Sequence, residues 1–547
     1  MKSIVIAVLL ALSLPFSASN AQPGRAGRAS GAAEKIDSAA VAQIIDEGMH
    51  RSHVMDVLSW LTDVCGARLT MSPGYKKAMD WTMQTMKSWG FANVHREGWG
   101  PFGRGWSLRR MSANVTEPVP FPLLAYPKAW SPGTDGVVRA DVIAFDAKTD
   151  SAVESFRGKL KGKIVLLGEE RQLKAHFEPE AMRVADSSLL NMANADVEGP
   201  RRGGRRQLNL TPDARRAAQL ENKKFVLCVE EEAAAVLTPS RGDDGTIFVQ
   251  SAAIPFGPGD TSIQTRPRVQ DLKAPETVPQ LAVAAEHFNR LVRMLNKGQK
   301  IRMELMMDVA FTREDSAYNV IAEIPGSDLS NETVMIGGHL DSWHGGTGAT
   351  DDGTGVATAM EALRIITTLG LKPRRTIRIA LWSAEEQGLL GSRAYVRNHF
   401  GSREGDTPTG DVTLKPEGEM FSAYFNNDNG TGKVRGVYLQ GNEALRPIFR
   451  AWLAPFRSLG ASTTSLLSTG STDHVSFDGI GLPGFQWIQD PMEYNARTWH
   501  STMDVYDRAQ EEDLKQAAVV MAAFAYNAAM RDEKLPRKGR PQLRTQN

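Results

Sequence analysis

Cysteine is nearly absent. Two occur in 547 residues, Cys65 and Cys228, too few for a disulfide framework and too far apart for a metal knuckle. Two buried free thiols are expected, with a disulfide chemically open after export. An excess of one charge is also lacking: 64 Lys+Arg stand against 63 Asp+Glu, a formal net charge of +1. That balance leaves no electrostatic footprint for nucleic acid or an anionic membrane surface. No segment after the N-terminus has the about 18 continuous apolar residues of a bilayer-spanning helix, so no membrane anchor is expected. No internal repeat is present, which excludes a solenoid or propeller.

The N-terminus reads as a targeting segment. Lys2 supplies a positive start, residues 4–14 a short apolar run, and Ser19-Asn20-Ala21 small residues at a cleavage site. This three-part pattern predicts a signal peptide over 1–21 and export to the periplasm or the medium. Residues 22–36 follow as a flexible leader rich in Gly, Ala and Arg.

Beyond the leader the pattern changes twice. Ser72, Pro73 and Gly90 suit the cap, first turn and end of a helix, with a strand after it over 91–99. Residues 116–312 hold short β-like runs at 136–138, 163–167, 225–227 and 246–249. A basic stretch, Arg201, Arg202, Arg205 and Arg206, followed by Arg215 and Arg216, reads as a solvated loop. From 313 strands alternate with helices: strands at 333–339, 376–383 and 482–488, helices at 355–369, 387–398 and 512–530. That alternation predicts an α/β domain with a mostly parallel central sheet. A basic, disordered tail is expected over 534–547.

Sites in such sheets form outside the carboxyl ends of the strands. His339, Asp351, Asp352, Glu385, Glu386, Asp428 and His500 all fall at expected strand ends or in the Gly-rich loops after them. Singly, each has a bland reading: adjacent acids, for instance, suit a helix N-terminus. Jointly, two imidazoles and several carboxylates in one domain form a donor set suited to zinc. Asp351 is the candidate to bridge two ions, which in such pairs sit about 3.5–4 Å apart and hold an activated water. Glu385 and Glu386, adjacent on extended chain, point apart. One can bind metal while the other moves a proton.

The motifs GGHLDSW, TDDGTG, SAEEQGLLGS, NNDNGTG and TWHSTMD resemble those of the co-catalytic di-zinc exopeptidases, among them bacterial aminopeptidases and the carboxypeptidase Q group. The resemblance implies a three-layer zinc-peptidase domain split over 37–115 and 313–533. GKLKGKIVLLGEE and VPQLAVAAEHFNRL resemble an inserted β-rich protease-associated domain, over 116–312. By this resemblance two zinc ions are held, one by His339 and Asp428, the other by Glu386 and His500, with Asp351 bridging. Glu385 is the implied general base and acid, and Asp341 the acid that orients the first histidine. A cis peptide at Asp351-Asp352 is also implied. Tyr494 is the candidate oxyanion donor and Arg497 the candidate for a substrate carboxylate. His474 is read as structural or substrate-contacting, and His344 as a loop residue.

The implied activity is hydrolysis of small peptides, with aminopeptidase and carboxypeptidase or dipeptidase specificity both open. A homodimer is also left open. The alternatives are a one-zinc glutaminyl cyclase-like enzyme and a receptor-like binding protein without metals.

Overall fold

The computed structural model describes residues 34–196, 211–257, 266–313, 316–406 and 410–538. The expected signal peptide, most of the leader, Arg201, Arg202, Arg205, Arg206 and the end of the basic tail lie outside the described residues.

Eight strands form a first sheet, in the spatial order Ala92–Trp99, Ala317–Ile324, Arg375–Trp382, Leu329–His339, Phe421–Asn426, Gly484–Gln489, Val434–Tyr438, Thr463–Ser465. The four central strands run parallel, while antiparallel pairings join the strands on either side. Its register sets His339 opposite Trp382 and Gly337 opposite Asn426. The central strands therefore end level, and their following loops meet at one edge.

Both faces of the sheet are covered, which explains why its strands read as continuous apolar runs. Val334, Ile336, Ile377, Ile379 and Phe425 pack with the helices Thr354–Thr368 and Glu511–Met530. Met335, Trp382 and Tyr424 point the other way, onto Tyr395, Phe400 and Phe477. The helix Glu511–Met530 opens with Glu511, Glu512 and Asp513, acids suited to the positive end of its dipole. Its alanines, among them Ala518, Ala522 and Ala525, are fully buried and let the neighbouring helices approach closely.

A second eight-stranded sheet is built from residues 105–312, in the order Phe121–Pro122, Gly105–Glu117, Arg302–Thr312, Val138–Ala144, Ile164–Leu166, Ala235–Pro239, Gln280–Val283, Ala125–Pro127. It has its own core around Val142, Ile164, Leu237, Leu281, Phe288 and Met303. The expected boundary at 116 falls inside the strand Gly105–Glu117, which pairs along its length with Arg302–Thr312.

Two expected strands are corrected. Residues 225–227 lie in the helix Pro212–Glu230, whose Thr211 side chain accepts from Ala214 N and whose Pro212 fits the first turn. Phe225 and Cys228, three apart, share its buried face, a spacing that three successive apolar letters do not reveal. Arg215 and Arg216 are exposed on the same helix, not in a loop. Residues 246–249 join neither sheet; Phe248 forms an isolated bridge to Ser501. The helix expected from 387 begins at Leu390, because Gly388 and Leu389 take positive φ in a turn closed on Glu385 O. The expected tail is packed as far as 538: Leu535 is buried and Pro536 O accepts from Asn442 Nδ2 at 2.7 Å. Cys65 and Cys228 are free thiols, Cys65 half-buried and Cys228 buried. No helix among the described residues is long and apolar enough to cross a membrane.

His399 ties three elements together. Its Nδ1 lies 3.0 Å from Glu417 Oε2 and its Nε2 2.9 Å from Glu97 Oε1. Glu417 first, then Glu97, push the imidazole up to about 9. A raised folded pKa stabilises fully below the unfolded value of about 6.5 and is lost as pH rises through the folded one. His399→Gln should therefore lower Tm relative to the parent chain at pH 6, with the gap closing by pH 10. Melting curves at the two pH values check this, and a gap independent of pH would refute the assignment.

Candidate metal centre

His339 closes the strand Leu329–His339. Its Nδ1 lies 2.9 Å from the Asp341 carbonyl oxygen. A carbonyl only accepts, so Nδ1 carries a proton, and in the neutral form of the ring Nε2 is the lone pair. That Nε2 faces Asp351 Oδ1 at 3.2 Å and Asp428 Oδ2 at 3.8 Å. On the other side His500 Nε2 faces Asp351 Oδ2 at 3.1 Å and Glu386 Oε2 at 2.9 Å. Asp351 thus presents one oxygen to each imidazole.

The loops that deliver these groups are held by side chains from far along the chain. Asp352 accepts from His339 N and from Gly355 N, both at 3.1 Å, so its carboxylate spaces the first strand from the helix Thr354–Thr368. The neighbouring glycines are required sterically: a methyl at Gly338 would lie 2.3 Å from Asp352 Oδ2, and one at Gly355 2.0 Å from Asn427 O. The Asp351-Asp352 peptide is cis. Asp504 accepts from Thr350 N at 2.6 Å and from Asp351 N at 3.2 Å. Asp341 reaches His339 mainly through its carbonyl; its carboxylate, 3.7 Å from His339 Nδ1, accepts from Glu385 N at 3.2 Å and Glu386 N at 3.4 Å. It therefore orients the glutamate pair as well as the histidine. Arg68 is fully buried and donates to the carbonyls of Leu340, Thr347 and Gly348 at 2.7, 2.6 and 2.8 Å, fixing the loop between His339 and Asp351.

Asp352 and Asp504 stand inside the quoted motifs and Arg68 outside them, and no pattern in the sequence assigns their roles. The only signal is that Asp504 ends TWHSTMD and Arg68 sits in CGARLTMSPG.

Electrostatics single out two points where the protein favours positive charge. Burial opposes protonation of His339 and His500, yet carboxylates outweigh it. Asp341, Asp351 and Asp428 drive His339 well up, while Glu386 and Asp351 push His500 up to about 10. The same crowding raises the acids. Burial, then Asp351, lifts Glu386 to about 7. Burial, then Asp428, Asp473 and Glu386, holds Glu385 well above the carboxylate range against the opposing pull of His339. Arg68, buried beside them, gives its donors to main-chain carbonyls and neutralises none of them by contact. His339 Nε2 and Asp351 Oδ2 are buried without a hydrogen-bond partner, a costly state unless a further group satisfies them. A divalent cation fits here: imidazole nitrogen and carboxylate oxygens converge, as in the group His339, Asp351 and Glu386, a donor set that suits zinc.

The remaining candidates separate. Tyr494 is at the site, its hydroxyl donating to Asp428 Oδ1 at 3.4 Å. Arg497 points away, onto Glu180 of the inserted segment at 2.5 Å, so its guanidinium is engaged and not free for a substrate carboxylate. His474 is fully buried, 3.2 Å from Thr469 O, and lowered to about 4 by burial. His344 lies in the loop after His339, as expected, and is buried there, 2.7 Å from Pro127 O, against the rings of Trp106 and Tyr126.

Beside Tyr494 opens a cavity of about 580 Å³, lined among others by Asn191, Met192, Asn429, Tyr438, Leu467 and Gln489. Among the described residues its lining carries no charged side chain.

Comparison with known proteins follows this geometry. Mouse (Mus musculus) carboxypeptidase Q is 32% identical over 261 residues, covering 48% of this chain and 52% of that protein. Leupeptin-inactivating enzyme 1 of Streptomyces exfoliatus is 32% identical over 170 residues, 31% of this chain and 35% of that protein. The matched stretches thus span about half or less of these relatives' lengths. The structure of the peptidase M28 precursor of Shewanella amazonensis superposes with a TM-score of 0.62 at 25% identity, over 91% of this chain and 98% of that one. The zinc aminopeptidase of Bacillus subtilis shares the fold, with a TM-score of 0.52 at 18% identity over 88% of this chain and 96% of that one. The model of peptidase family M28 matches residues 319–525, the segment that holds His339, Asp351, Glu385, Glu386, Asp428 and His500.

Proposed function

We propose that the chain is an exported two-zinc exopeptidase that hydrolyses short peptides. His339 and Asp428 hold one ion, Glu386 and His500 the other, and Asp351 bridges them. The observation that carries this reading is the split of Asp351, one oxygen 3.2 Å from His339 Nε2 and the other 3.1 Å from His500 Nε2. When bound, the two ions supply Lewis-acid polarisation of the scissile carbonyl and lower the pKa of water toward about 7.

The chain's own groups do the rest. Glu385 takes the proton from the attacking water and passes it to the leaving amine. Asp341 keeps Glu385 in place through the backbone. Tyr494, beside Asp428, is placed to donate its hydroxyl to the oxygen that gains charge. The second sheet acts as the protease-associated domain, and the pattern over 1–21 supports export.

Specificity follows from charge. The centre is rich in carboxylates, which suit a substrate amine. The one arginine considered for a terminal carboxylate, Arg497, is engaged by Glu180. The uncharged cavity beside Tyr494 accepts an apolar or neutral polar side chain. The enzyme should therefore cleave unblocked dipeptides and C-amidated dipeptides with apolar first residues, and spare N-acetylated ones. A chelator should abolish cleavage and zinc restore it. Equal turnover of N-acetylated peptides would overturn amine recognition, and chelator-resistant turnover the metal assignment. A zinc content of one per chain would favour the one-zinc cyclase reading instead.

A further inference from the structure

The second sheet's segment does more than sit beside the metal centre. Residues 247–250 are threaded against the loop that carries His500. Val249 N donates to His500 O at 2.9 Å, and Thr502 N to Ile247 O at 2.9 Å. Phe248 and Ser501 form an antiparallel bridge. His500 itself sits at φ +60°, a left-handed conformation unfavourable for a non-glycine residue that persists only where surroundings impose it. The inserted segment supplies part of those surroundings.

Gln250 lies at the end of this contact, with its side-chain Nε2 2.8 Å from His500 Nδ1. Its backbone is gripped from the other side too, since Ala129 N donates to Gln250 O at 3.0 Å. The amide is thus delivered from a fixed main chain. We propose that Gln250 is a positioning residue for His500: with its amide rotated by half a turn, so that the oxygen replaces Nε2 and accepts from Nδ1–H, it holds the ring with Nε2 toward Asp351 and Glu386.

The direction of that bond follows from chemistry. An imidazole that binds a cation through Nε2 carries its proton on Nδ1, which must then find an acceptor. His339 finds one in the Asp341 carbonyl. His500 has no carbonyl in that place; Gln250 occupies it. A half-turn of the amide exchanges its two ends, and only the oxygen end can accept. The inserted segment thereby completes the environment of one metal position and leaves the other untouched.

This inference rests on the two-metal reading above, and the test separates the two. Zinc binding by the full-length chain is titrated against a competing chelator, for the parent chain, Gln250→Leu and Gln250→Glu. Gln250 is exposed, so neither change removes core packing, and melting of the zinc-free proteins verifies this. Gln250→Leu should weaken one of two zinc sites by about 10–100-fold, the usual loss on removing an outer partner of a metal-bound histidine, and leave the other unchanged. Gln250→Glu, which keeps an acceptor oxygen, should bind both ions at least as tightly as the parent. Two unaltered sites in Gln250→Leu, or a Gln250→Glu protein as weak as Gln250→Leu, would overturn the positioning role. A parent chain that never takes a second ion would overturn the two-metal reading and this inference with it.

Discussion

Glu385→Gln is expected to lower kcat by about 10²–10⁴-fold, the contribution typical of a positioned general acid–base, while zinc content stays at the parental level. The substitution is nearly isosteric. Its main-chain N–H still donates to Asp341 Oδ1, a contact of 3.2 Å that does not involve the side chain. What disappears is the ability to take up a proton and give it back. Because the amide leaves binding contacts in place, KM should move little, so the loss appears in kcat. The neighbouring Glu386→Gln supplies the contrast. Glu386 Oε2 lies 2.9 Å from His500 Nε2, so its loss should lower zinc content as well as rate. Metal analysis and steady-state kinetics on the two variants distinguish proton carrier from ligand. A Glu385→Gln protein with near-parental kcat would remove Glu385 from the chemistry. One that loses zinc as Glu386→Gln does would make it a ligand instead.

The residues that meet at this centre were legible because parallel strands make them so. A strand buried on both faces shows as an apolar run, its end shows as the first polar letter, and in an α/β sheet those ends share one edge. Only His339 ends its strand; Asp351, Glu386, Asp428 and His500 lie in the loops that follow such strands, and the structure brings them within contact distance of one another. The groups that hold them there follow no local rule. Arg68 acts on carbonyls more than 270 positions away, and Gln250 on a ring 250 positions away. Such contacts leave no periodicity and no spacing to read. The run 225–227 failed for the opposite reason: its local signal, three apolar residues, suits strand and helix equally, and the deciding cap lies at Thr211. Arg497 shows a third limit. Its closeness to His500 in sequence was real, but a side chain that long takes its direction from its counter-charge, and Glu180 pulls it off the site.

Asp351→Asn should remove zinc from both positions, where Asp428→Asn and Glu386→Gln each weaken mainly one. The reason is geometric and electrostatic together. Asp351 sends Oδ1 toward His339 and Oδ2 toward His500; an asparagine offers one oxygen and turns an N–H₂ group, a donor, toward the other cation. It also withdraws the negative charge that lies between two dications, whose mutual repulsion then has nothing central to offset it. The loop itself should survive, since Thr350 and Asp351 are tied to Asp504 by their main-chain N–H groups, and the zinc-free variant should melt as a folded protein. Affinity at both positions should fall by more than the about 10–100-fold seen when an outer partner is lost. Thermal stability reports this independently of catalysis. A ligand at about 1,000 times its Kd adds about 4 kcal/mol to the folded state, so micromolar zinc should raise the Tm of the parent chain by several degrees and that of Asp351→Asn scarcely at all. Two zinc ions per chain in Asp351→Asn, with the same zinc-dependent rise in Tm, would mean that the two positions do not share a ligand, and the bridged centre would have to be abandoned.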